Sequence, residues 1–201
     1  HNGVRLYAVE YATRGVDGSP VVASGLVMIP QVAGPRPLVS YQQGMILDPL
    51  DSPSMLRSGE ATAMLHVFAA YGYVVTMPDY IGQGRSLARH PFLNAATEAS
   101  AGVHLLEAAR RLCAKLGVQL SGHLFLTGLS QGGHATMAMH RLLESGGGAP
   151  VTASAPVSGP YRLLPCWRSW LRESDASAPV VMAKTILSVA NVSRIPVNDA
   201  F

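Results

Sequence analysis

Apolar and polar positions alternate from Arg5 to Tyr11, turn residues follow at Gly15 and Asp17-Gly18, and a second apolar run covers Val21 to Ile29. This pattern predicts an opening β-hairpin. Pro37 to Tyr41 is a short continuous apolar run of the kind buried in a parallel sheet, and it ends at Gln42-Gln43-Gly44. Arg57 to Tyr71 has helical spacing and stops at Gly72, after which Tyr73 to Met77 reads as another buried strand. Val103, Leu106, Ala109/Arg110 and Cys113 recur every three to four residues and predict a longer helix over 95–116, closed by Gly117. A strand over His123–Thr127, a helix over Gln131–Glu144 and a strand over Val151–Val157 complete the series. Three successive strand-then-helix units predict a mostly parallel sheet with helices on both faces and right-handed crossovers.

After Gly159 the period changes. Leu163, Leu164, Trp167, Trp170 and Leu171 share one helical face, with Arg162, Arg168 and Arg172 elsewhere. Residues 159–201 are therefore read as a cap-like helical insertion on a core of residues 1–158, with room for one more helix and no further strand. A core-packing helix and a substrate-facing lid explain that apolar face equally well.

Composition narrows the class. In 201 residues, 48% are apolar and 13% charged, which supports a buried core and excludes a disordered chain or a charge-laced rod. The net charge of +3 is spread along the chain without a basic stripe, so nucleic acid is not an expected partner. The apolar stretch 178–190 is broken by Lys184 and is too short to span a bilayer. Cys113 and Cys166 lack metal-pair spacing, and one bridge or two thiols are both compatible with the sequence. No metal or cofactor is expected.

Gly128-Leu129-Ser130-Gln131-Gly132 fits the pattern G-x-S-x-G, in which a serine occupies a strained turn between a strand and a helix. Three fixed positions alone are weak, but the predicted strand lies directly before and the predicted helix directly after. The turn Gln42-Gln43-Gly44-Met45 ends the neighbouring strand, where it can bring a backbone N–H close to Ser130. With the N–H of Gln131, that makes two donors for an acyl oxyanion.

These motifs recur in a fixed order with Pro78-Asp79-Tyr80-Ile81-Gly82-Gln83-Gly84-Arg85-Ser86, His90-Pro91-Phe92-Leu93 and Ser154-Ala155-Pro156-Val157-Ser158-Gly159-Pro160-Tyr161. Together they resemble the α/β-hydrolase superfamily, in the branch of secretory lipases and carboxylesterases. The resemblance implies Ser130 as nucleophile and oxyanion donors at Gln131 and at Met45 or Gly44. It also implies a small-molecule ester substrate with an apolar part set against Trp167 and Trp170, and a secreted or periplasmic location. A peptidase or amidase of the same fold, or a binding protein lacking the base, would share these motifs.

The family order places an acid and then a histidine after the serine, and only His134 and His140 follow Ser130. His134 lies one turn into the same helix, where its side chain points away from the nucleophile, and is read as a buried packing or hydrogen-bonding residue. His66, His90, His104 and His123 precede the serine and are read as structural or surface residues. Asp175 and Asp199 match the acid by order alone and are not assigned. Asp79 is expected to fix the Gly82/Gly84 loop by accepting its N–H groups. The triad acid and histidine, with further strands, are expected after Phe201.

Overall fold

The structure is a computed structural model, and it describes residues 3–146, 148–172 and 178–195. Strands β1 (Val4–Arg14) and β2 (Pro20–Pro30) form the antiparallel hairpin, with Val4 opposite Pro30 and Arg14 opposite Pro20. They are followed by β3 (Arg36–Gln42), β4 (Val74–Pro78), β5 (Leu120–Leu129) and β6 (Ala153–Val157). The six strands lie in the order β1-β2-β4-β3-β5-β6. β2 joins β4 antiparallel, and the β4-β3-β5-β6 half is parallel throughout.

The helices are α1 (Gly59–Val67), α2 (Ala95–Lys115), α3 (Gln131–Ser145), α4 (Leu163–Trp170) and α5 (Ala178–Ser193). Strand alternation divides the core. Val27, Leu38, Val74, Leu124 and Leu126 face α2 and α3, where they meet Leu105, Ala109 and Met139. Leu26, Met28, Val75 and Met77 point the other way and meet α1 through Ala61, with Met64 and Leu65 at the margin.

Several boundaries differ from the sequence reading, with β1 running on to Arg14 rather than Tyr11 and β6 starting at Ala153 rather than Val151. The helix expected over Arg57–Tyr71 begins only after Ser58, whose side chain accepts the Ala61 N–H. It breaks at Phe68 and closes as a 3-10 turn over Ala69–Tyr71, with Gly72 at φ 98°. The tighter turn lets the chain drop into β4 without a longer connection. The strand expected over His123–Thr127 extends to Leu120–Leu129, because β3 pairs along it with an irregularity between Arg36 and Leu38. Among the described residues after Gly159, α4 carries the apolar positions Leu163 to Trp170, and α5 is the one further helix. Asp175 and Asp199 lie outside the described residues.

Candidate active site

Parallel strands leave their carboxyl ends on one edge of the sheet, and that edge is where loops can converge on a ligand. Ser130 stands there, between the end of β5 and the start of α3, with φ 57° and ψ −119°. A non-glycine residue in this region stores about 1–3 kcal/mol of strain, which the surroundings must hold. They do so by backbone bonds: Ser130 N–H reaches the Val157 carbonyl at 2.9 Å, and Ser130 C=O accepts from Gly133 and His134 at 2.9 and 3.2 Å. Ser130 is exposed.

The two glycines of the motif answer to close backbone approach. A Cβ on Gly128 would lie 2.4 Å from the Gln42 carbonyl oxygen, and one on Gly132 only 1.8 Å from the same atom. The elbow is thereby pressed against the end of β3. The same contact carries the Gln42–Met45 turn to the side of Ser130.

Among the described residues, the N–H groups of Gln131 and Met45 have no hydrogen-bond partner. The Gly44 N–H is engaged by the Glu60 carboxylate, at 3.1 Å to Oε2 and 3.3 Å to Oε1. Gln43 is held from the other side: its Nε2 donates to the Asp79 carbonyl at 3.1 Å, and its own carbonyl accepts from Tyr80 Oη at 3.2 Å.

A buried polar network supports the α3 start. Glu98 of α2 is 1% exposed and accepts from Gln131 Nε2 at 2.8 Å, His134 Nδ1 at 2.7 Å and Leu93 N–H at 3.2 Å. The His134 ring is thus committed to Glu98, and among the described residues it makes no hydrogen bond to the Ser130 hydroxyl. Burial lowers the His90 pKa to about 4, against the Ile81 carbonyl bond that raises it. The ring is therefore neutral near pH 7. Its Nδ1 donates to Ile81 C=O at 2.7 Å, which leaves Nε2 to accept from Gln131 Nε2 at 3.4 Å.

Asp79 departs from its expected partners. Its carboxylate takes the Ser54 N–H at 2.9 Å, the Ser54 hydroxyl, and the Ser24 hydroxyl at 2.6 Å, rather than N–H groups of Gly82 or Gly84. It reaches the loop through Ser24 Oγ, which accepts the Arg85 N–H at 2.9 Å. A turn carboxylate that is fully buried satisfies itself with the nearest hydroxyls, and two serines already line this site. Burial raises the Asp79 pKa against those hydrogen bonds and the Arg85 charge.

His66 and His123 are exposed on α1 and β5. His104 bonds Thr13 Oγ1 at 2.9 Å, and His140 bonds Ser154 Oγ at 2.9 Å. Cys113 and Cys166 are both free, the first buried on α2 and the second on α4. Trp167 and Trp170 are half-buried on α4. Glu98 and Glu60 are the site-shaping residues that motif reading did not find. Glu98 had a readable signal, since it falls on the same helical face as Ala101, Leu105 and Ala109. Glu60 had none.

A mixed sheet with α2 and α3 on one face, α1 on the other and a serine on a strained β5–α3 turn is the α/β-hydrolase fold, of the kind found in esterases and lipases. No family model matches the chain, and no curated protein does. Solved structures do match. A provisionally named hydrolase of Legionella pneumophila is 32% identical with a TM-score of 0.89, covering 96% of this chain and 53% of its own. The rice cell wall degrading esterase LipA of Xanthomonas oryzae is 33% identical with a TM-score of 0.87 and the same two coverages. Candida antarctica lipase A, at 20% identity and a TM-score of 0.66 over 93% of this chain and 44% of its own, shares the fold. The chain spans about half the length of these neighbours. No helix among the described residues is long and apolar enough to cross a membrane.

Proposed function

We propose that the protein is a serine hydrolase that cleaves carboxylic esters through an acyl-enzyme on Ser130. The observation that carries this reading is the pairing of an exposed serine at φ 57° with an unpartnered Gln131 N–H at the first position of α3. A nucleophile needs exposure, and an oxyanion needs a fixed donor beside it. That the LipA neighbour is an esterase adds support for the ester.

In the first step Ser130 Oγ bonds the acyl carbon as its proton passes to a base. The alkoxide then leaves with that proton. Water repeats the sequence, and the acid is released with the serine restored. The negative oxygen of each tetrahedral species is held by the N–H groups of Gln131 and Met45. The base and its acid are proposed to come from polypeptide outside residues 1–201. In support, His134 is bound to Glu98, and the neighbours are nearly twice as long. Residues 159–201 are proposed to act as a cap whose Trp167 and Trp170 meet the apolar part of the ester. The chemistry requires no cofactor. The cell wall substrate of the LipA neighbour favours an exported enzyme, secreted or periplasmic.

The test is hydrolysis of a p-nitrophenyl acyl ester by the native polypeptide, set beside a peptide anilide. Ester turnover that falls by at least about 10³-fold in Ser130→Ala, with melting unchanged, is the expected result. Faster turnover of the anilide would move the reading to an amidase.

A further inference from the structure

Two charged side chains from different helices grip the turn after β3, one on each side of Met45. Glu60, in the first turn of α1, accepts the Gly44 N–H and is also hydrogen-bonded to the Tyr41 side chain. Lys184, on α5, donates from Nζ to the Ile46 carbonyl at 2.5 Å and lies 5.4 Å from the centroid of the Phe92 ring. Neither has an opposite charge within ion-pair distance among the described residues. Each charge is directed at a backbone group of this turn, and charge-assisted bonds of this kind are about twice as strong as neutral ones. The Met45 N–H between them is unpartnered among the described residues.

The grip is beside the elbow. A Cβ on Gly44 would lie 2.8 Å from Glu60 Oε1 and 3.4 Å from the carbonyl oxygen of Leu129, the residue before Ser130. We propose that Glu60 and Lys184 are positioning residues that hold the Gly44–Ile46 backbone so that the Met45 N–H, and not that of Gly44, faces the oxyanion formed at Ser130. This rests on the reading of Ser130 as the acylating nucleophile.

An N–H already bound to a carboxylate cannot turn to a developing oxyanion without breaking that bond. The Glu60 contact therefore withdraws the Gly44 N–H and fixes the Gln43–Gly44 peptide plane, next to the plane that carries the Met45 N–H. Lys184 does the same from the far side, and it ties α5 to the turn. A donor held this way needs no reorganisation when charge develops, which is the condition under which such donors contribute most.

Variants of the native polypeptide test the assignment, with kcat and KM on a p-nitrophenyl ester, inhibition by an alkyl boronic acid that forms a tetrahedral anion, and melting. Glu60→Ala is expected to lower kcat by about 10- to 100-fold, since a misplacement near 1 Å has that effect, while KM stays within about twofold. Boronic acid binding should weaken by a similar factor. Glu60→Gln retains an acceptor for the Gly44 N–H and should restore most of kcat. Lys184→Met keeps the stem without the donor and should follow Glu60→Ala in direction; it carries the test if Glu60→Ala does not fold. Unchanged kcat in Lys184→Met and Glu60→Ala, with only melting lowered, overturns the proposal. So does a Glu60→Gln variant as impaired as Glu60→Ala. Ser130→Ala run alongside separates these results from failure of the nucleophile reading, because loss of activity there leaves the Glu60 comparison interpretable.

Discussion

Ser130 sits where it does because its neighbours are small. The Gln42 carbonyl passes so near Gly128 and Gly132 that neither position admits a side chain, and the clash is with backbone, which cannot swing aside. Gly132→Ala should therefore cost about 3–5 kcal/mol or prevent folding, against the usual gain from Gly to Ala inside a helix. Urea unfolding measures it, and a change under about 1 kcal/mol would mean the elbow is less tightly packed than described. The motif glycines were legible in the sequence because close approach demands that residue type. Glu60 was not, since a glutamate in the first turn of a helix looks the same whether it faces solvent or a backbone N–H far along the chain.

The elements were legible where periodicity was strong: the hairpin, α2, α3 and the parallel strands follow the residue patterns within a few positions. What the pattern could not show was how α2 braces α3. Glu98 receives Gln131 and His134 together with nearby Leu93, and the first two contacts, between residues more than thirty positions apart, leave no local trace. Glu98→Ala would strand the Leu93 N–H and the part-buried His134 Nδ1 and leave Gln131 Nε2 only its longer contact to His90, and should destabilise by about 3 kcal/mol in urea unfolding. A loss below about 1 kcal/mol would deny the brace. His90 gives a pH signature. Its pKa is lowered from 6.5 to about 4, so the unfolded chain binds the proton first and stability falls as pH drops from 6.5 toward 4. Melting across that window should fall less steeply in His90→Gln than in the wild type. Equal slopes would place the titration elsewhere.

At the scale of the molecule, β6 is the edge strand of the parallel half of the sheet among the described residues, and Ala153, Ala155 and Val157 are exposed along it. Beside it Phe68, Tyr73, Phe125, Thr127 and Ala155 border an open hollow of about 240 Å³ on the α1 side of the sheet. Bare parallel edges and open apolar faces are what further strands and helices ordinarily cover, which fits a chain spanning about half the length of its structural neighbours. The proposed function takes its base from outside residues 1–201 as well, and on that reading activation of Ser130 is measured on the native polypeptide. The direct test is reaction of that polypeptide with a fluorophosphonate, which attacks rapidly only a serine served by a base. One adduct, mapped to the peptide carrying Ser130 and absent from Ser130→Ala, is the predicted result; an adduct at another residue, or rapid ester hydrolysis with none at Ser130, would contradict it.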